Sequence, residues 1–173
     1  MDNRIERTKR SIYNAFIGLR SKKPLERLTV KELCEEAQIN KSTFYVHYRD
    51  VYDLSDKIES EIVRDIIRTI DNSKDMFIDT VEFAQNLFMA YSSQNALIST
   101  IFSGSRSEQL PKKVEAALKE MLYEKHPDMR DNIKMNILMT FSVYGGYYAY
   151  REYGKLAGQT VEIIGELSEK LMK

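Results

Sequence analysis

An all-α fold is predicted for this sequence by two patterns and one bound. Apolar residues recur mostly at spacings of three and four, and the alternating apolar and polar runs of half-buried strands are scarce. The composition, 43% hydrophobic and 30% charged over 173 residues, is ordinary for a water-soluble chain long enough for one sizeable core. No run of about 18 apolar residues exists to span a bilayer, and the nearest candidate, Ile137 to Tyr150, is short and interrupted by Thr140, Ser142 and Gly145-Gly146.

The elements follow in order. Ile12, Ala15, Phe16 and Leu19 mark the buried stripe of a first helix, which Pro24 and its constraint on Lys23 bring to an end. A second helix starts at Thr29, which has the spacing of a capping box with Glu32; Val30, Leu33, Cys34 and Ala37 then face inward. Asn40 is a new cap only a few residues later, so a tight turn through Gln38 and Ile39 is expected, leading into a third short helix within "INKSTFYVHYRD", Ile39 to Asp50. Asp50 and Asp53 open a fourth helix with the stripe Val51, Leu54, Ile58, Ile62, Ile66 and Ile70, about five turns at 3.6 residues each. "DNSKD", Asp71 to Asp75, is the clearest break. Beyond it come a helix around Ile78 to Tyr91, a short one near Ala96 to Phe102, and a Gly/Ser loop at Ser103 to Ser107. Helices from about Pro111 to Tyr123, Ile133 to Tyr153 and Thr160 to Leu171 complete the chain. The expected division is 1–50 and 51–173, with no internal repeat or low-complexity segment.

The net charge of zero conceals an asymmetry: residues 1–50 carry 11 Lys/Arg against 7 Asp/Glu, and the remainder 15 against 19. A basic front on an acidic body points to a polyanionic partner for the front. The charged start "MDNRIERTKR" has no apolar core behind it and is not a secretory signal, so a cytoplasmic location is expected. Cys34 is the sole cysteine, which excludes an internal disulfide and a multi-Cys metal cage; it is expected to be a small buried residue. No HExxH, GxSxG, GxGxxG or P-loop pattern is present, and Glu124, His126 and Asp128 flank Pro127 at an expected exposed helix end. Enzymatic activity, cofactors and metals are therefore not expected.

A longer helix followed by two short helices across a tight turn predicts a helix-turn-helix head of the homeodomain-like kind, whose last helix enters the major groove. With Phe44 and Tyr48 buried four residues apart, the outer face of that helix consists of Lys41, Ser42, Thr43, Tyr45 and His47. It holds hydroxyls, a cation and an imidazole but no carboxylate, and an acid there would oppose phosphate contact. Thr29, at a helix N-terminus, offers a hydroxyl toward a phosphate, and Arg4, Arg7, Lys9 and Arg10 reach for the backbone or minor groove.

"LTVKELCEEAQINKSTFYVHYRDVYDL", Leu28 to Leu54, resembles the DNA-binding segment of the TetR/AcrR family of bacterial transcriptional regulators. The matching positions are Thr29, Val30, Leu33, Ala37 and Ile39, the triplet Thr43-Phe44-Tyr45, His47 with aromatic Tyr48, and Leu54. Three positions depart from the family pattern: Val51 stands where a Lys is usual, Gln38 where the turn usually has Gly, and Ser42 where Gly is frequent. The resemblance implies a helical body that binds a small-molecule effector and forms a dimer, so that two heads meet a palindromic double-stranded operator, most often as a repressor.

For the body, Phe83, Leu87, Phe88 and Tyr91 form one stripe, while Met121, Phe141, Tyr144, Tyr147 and Tyr148 add thioether and aromatic surface. Phe88, Tyr91, Met121, Phe141 and Tyr144 are the expected ligand contacts. The last helix carries Val161, Ile164, Leu167 and Leu171 in an a/d-like stripe; with Tyr148 they are the expected dimer surface. The helix before it is apolar nearly all round, with Gly145 and Gly146 permitting close approach. A second reading stays open, in which the head serves an architectural or co-regulatory protein that binds DNA or a protein partner without an effector.

Overall fold

The computed structural model describes residues 3–70, 80–154 and 157–172. Among the described residues the chain is entirely helical: α1 (Asn3–Arg20), α2 (Val30–Glu36), α3 (Lys41–His47), α4 (Val51–Thr69), α5 (Thr80–Ser93), α6 (Asn95–Ile101), α7 (Gln109–Lys125), α8 (Ile133–Tyr153) and α9 (Ala157–Met172). Short 3₁₀ turns lie at Leu25–Arg27, Gly104–Arg106 and Pro127–Asp131. The expected break at Asp71 to Asp75 and the first residues of the helix expected from Ile78 lie outside the described residues. The chain groups into two compact units, Met1–Ile62 with Asn95–Glu108, and Val63–Gln94 with Gln109–Lys173.

In the first unit, the α1 stripe buries Ile12, Ala15 and Phe16, and Leu19 is half-buried. The capping box at α2 forms as the spacing predicts: Glu32 N–H donates to Thr29 Oγ1 at 3.3 Å and Thr29 N–H to Glu32 Oε2 at 3.1 Å. Lys23 holds the other oxygen of Glu32, and these bonds, that of Lys23 first, keep its carboxyl below the usual carboxylate range. The end of α2 is a Schellman turn, with Ile39 N–H donating to Cys34 O at 3.0 Å and Gln38 N–H to Glu35 O at 3.3 Å. Such a turn needs one left-handed residue, and Gln38 supplies it at φ 55°. Replacing Gln38 by Gly should relieve that strain and raise stability by about 0.5–1 kcal/mol, the larger unfolded-state entropy of Gly offsetting part of the gain. Thermal unfolding checks it, and an unchanged or lower melting temperature would show that the strain does not exceed the entropy Gly adds to the unfolded chain.

Residues far apart in sequence tie this unit together. Glu59, fully buried on α4, accepts from Arg106 Nε at 2.7 Å and Nη2 at 2.6 Å, and from Ser55 Oγ at 2.7 Å. Arg20, also buried, donates through Nη2 to Thr100 O at 3.1 Å, Ile101 O at 3.2 Å and Ser103 Oγ at 2.8 Å, and through Nη1 to Lys23 O at 3.0 Å. Three of the four acceptors of this one guanidinium thus lie where α6 ends, and the fourth follows α1.

In the second unit, α9 packs on both α5 and α8, and α7 packs on α8. Glycines permit two of these approaches: a Cβ on Gly165 would lie 3.1 Å from Val81 Cα of α5, and one on Gly146 would lie 3.3 Å from Ile164 Cγ2 of α9. Gly145, its neighbour, is exposed with open space around it. The α4 stripe is buried throughout, Val51, Leu54, Ile58 and Ile62 in the first unit and Ile66 and Ile70 in the second. No described helix is long and apolar enough to cross a membrane.

Candidate nucleic-acid interface

The geometry of α3 is set by its ends. Asn40 caps it, its Oδ1 accepting from Thr43 N–H at 2.8 Å, and the same oxygen also accepts from the hydroxyls of Thr43 and Ser42, both at 2.7 Å. Two of the expected contact groups therefore have their protons directed at the cap, and a phosphate, which only accepts, would compete with Asn40 for them. At the other end, Lys57 Nζ donates to His47 O at 3.1 Å and to Asp53 Oδ2 at 3.0 Å and lies 5.0 Å from the Tyr48 ring centroid. A cation on the last carbonyls suits the helix dipole. The Asp53 carboxyl is held below its ordinary range by the backbone N–H of Arg49 and by Lys57.

Phe44 is the anchor. It is completely buried, with the Tyr45 ring edge-on at 5.6 Å between centroids and the Tyr48 ring tilted at the same distance. Tyr48 is half-buried, and burial pushes its phenol above the ordinary range, with the carboxylates of Glu61, Asp53 and Glu6 acting in the same direction. Outward from this anchor, Lys41 and Ser42 are exposed, Tyr45 is 56% exposed, and Thr43 and His47 are half-buried. Thr29 is exposed at the start of α2, with its hydroxyl directed at Glu32. The α3 residue that sequence reasoning missed is Val46, 77% exposed between Tyr45 and His47. Its position at i+4 from Ser42 was the available signal. Among the described residues of α3 there is no carboxylate.

Arg4, Arg7, Thr8 and Ser11 of α1 line a polar cleft of about 400 Å³ with Ala37, Gln38 and Ile39 of the turn. Lys9 is paired with Glu6 at 3.5 Å, and Arg10 is exposed. Val51, at the start of α4, is buried.

The body contains a separate cavity of about 120 Å³ within the second unit. Of the expected ligand residues, Phe88 and Tyr91 line it, whereas Met121, Phe141 and Tyr144 do not. Phe141 is 63% exposed, because an all-round apolar helix offers more than one face and the face with Ser142, Gly146, Tyr147 and Tyr150 is the one turned to the cavity. Phe141 instead continues an exposed α8 stripe with Ile133, Ile137 and Tyr148. On α9 the exposed apolar residues are Ile163, Leu167 and Leu171, and Val161 is half-buried. Ile164, expected at the dimer surface, is buried against Gly146 and lines the cavity. The apolar run of α9 permits two stripes one residue apart, and packing selects the one containing Ile164 for the interior.

Cys34 is buried, and burial raises its thiol above the ordinary range, the condition of an unreactive cysteine. Among the described residues, no group of three or more His, Cys, Asp or Glu is placed to hold a metal ion. No family model, curated protein or solved structure matches this chain.

Proposed function

We propose that this chain is a DNA-binding protein that lays α3 into the major groove of a duplex, as the last helix of a helix-turn-helix head. The supporting observation is the surface of α3: Lys41, Ser42, Tyr45 and Val46 exposed, Thr43 and His47 at the edge, and Phe44 fixing the helix from behind. An ammonium, hydroxyls, an imidazole and a phenol suit phosphate oxygens, and an exposed valine suits the methyl group of thymine. More particularly, the segment Leu28 to Leu54 supports a regulator of the TetR/AcrR type, a homodimeric repressor released from a palindromic operator by a small molecule. The exposed apolar stripes of α8 and α9 are the surfaces for the two-fold contact. In such a dimer the heads meet successive major grooves about 34–36 Å apart or a multiple of that. An effector weakens DNA binding only as far as it prefers the body conformation in which the heads are wrongly spaced. No enzymatic activity forms part of this reading.

Selection of bound sequences from random duplexes tests it, followed by anisotropy titrations across a range of salt. Tyr45→Phe and His47→Ala should each weaken binding to specific and non-specific duplexes alike, the slope of log K against log salt falling by about one for every phosphate that the variant no longer touches. Variants that bind like the parent at every salt concentration would remove α3 from the interface. The burial of Val51 favours a second reading, an architectural or co-regulatory protein with weaker DNA contact, and a selection that returns no preferred sequence would support it.

A further inference from the structure

The cavity in the second unit has a chemistry narrow enough to restrict what enters it. Its wall is apolar and aromatic: Phe88 and Tyr91 of α5 face Tyr150 of α8, with ring centroids 4.8 Å and 5.6 Å from that of Tyr150. Among the described residues, no Asp, Glu, Lys, Arg or His lines it. One polar atom is out of balance. Ser142 lines the cavity, and its Oγ is buried with no hydrogen-bond partner, although a serine inside a helix ordinarily satisfies itself on the carbonyl one turn back. A hydroxyl closed off from water and left unbonded is costly, and such a group marks a place where a partner belongs.

We propose that this cavity binds a small, uncharged aromatic molecule carrying one hydrogen-bonding group, which pairs with Ser142 Oγ. Size, charge and polarity each contribute. The volume of about 120 Å³ is in the range of an engineered apolar cavity of roughly 150 Å³ that takes up benzene, so one substituted ring is the scale of the occupant. An ionised carboxylate or ammonium would enter without a counter-charge and lose its hydration. Flat aromatic walls favour a ring that stacks or meets them edge-on. A single hydroxyl or carbonyl on that ring would give Ser142 the bond it lacks once its side chain turns about χ1 toward the cavity, since the Oγ itself exposes almost no surface. The role of the bound molecule as an effector rests on the regulator reading; its chemical class rests on the cavity alone.

Isothermal titration of the full-length protein with four ring probes separates these requirements: 4-ethylphenol, ethylbenzene, 4-ethylbenzoate and 4-ethylbenzylammonium. The phenol should bind most tightly and ethylbenzene about five- to tenfold more weakly, the equivalent of one net hydrogen bond. Both ions should bind more than about a hundredfold more weakly than the phenol. In Ser142→Ala, the two neutral probes should bind within about twofold of one another, with the affinity for ethylbenzene retained. Circular dichroism would establish that this variant keeps its helical content. A charged probe that matches the phenol, a phenol preference that survives Ser142→Ala, or no heat from any probe at millimolar concentration would overturn the assignment. Because these titrations contain no DNA, failure of the cavity is distinguishable from failure of the interface. Release of a selected duplex by 4-ethylphenol is measured separately and reports on the effector role.

Discussion

Phe44→Ala is expected to destabilise the first unit by about 3–5 kcal/mol, the cost of emptying a fully enclosed aromatic site. The ring is completely buried and packs against Tyr45 and Tyr48, so on the proposed reading its loss should abolish DNA binding even where folded protein remains. Met89→Ala is the control. That side chain is largely exposed on α5, outside the α8 and α9 stripes, and its removal should change chain stability by less than about 0.5 kcal/mol. Urea unfolding read by circular dichroism, with anisotropy on a selected duplex, measures both effects. If Phe44→Ala costs no more than Met89→Ala, the ring is not the support of α3, and the orientation of the outer face loses its basis.

Arg106→Ala should be of similar size, about 3–5 kcal/mol, for an electrostatic reason. Removing the guanidinium takes two charge-assisted bonds from the fully buried Glu59 carboxylate, to which the Ser55 hydroxyl donates without a counter-charge and on which the Arg20 cation acts through space. Most of that loss is the cost of a buried charge left without its directly bonded counter-charge rather than the intrinsic worth of the pair. The double variant Glu59→Leu with Arg106→Ala should therefore recover most of the stability, to within about 1–2 kcal/mol of the parent. Equal destabilisation of the single and double variants would refute this account, since it would assign the loss to packing around Arg106 alone.

How far the sequence could be read depended on the distance over which each interaction acts. The Thr29–Glu32 box, the Asn40 cap and the tight turn between them involve partners within a few positions, and they were legible because backbone geometry and side-chain reach fix them locally. The α4 stripe was equally plain, since it follows a single helical period that is buried throughout. The buried network was not. Glu59 and Arg106 are 47 positions apart, Arg20 and Ser103 are 83 apart, and in the sequence each is an ordinary charged or polar residue. Periodicity also failed where a helix is apolar on several sides. It could not orient α8, where Phe141, expected as a ligand contact, is exposed, nor α9, where Ile164, expected at the dimer surface, is buried. For the candidate cavity, Phe88 and Tyr91 were reachable from one stripe, whereas Ser142 emerges only when the hydrogen bonds of α8 are counted.

The bonds from Arg20 and Arg106 also bear on the order in which the protein can form during synthesis. The ribosome delivers residues at about 5–20 per second, N-terminal segments first, so α1 to α3 emerge seconds before the part of the chain that completes their unit. Until Ser103 and Arg106 have left the exit tunnel, Arg20 and Glu59 have only their local bonds to Lys23 and Ser55, and α4 would bury its carboxylate without the guanidinium that pairs with it in the finished fold. Closing that interval also confines a long loop, a further delay that purely local helix formation does not face. The segment that folds first in most chains is here made to wait for residues encoded well downstream.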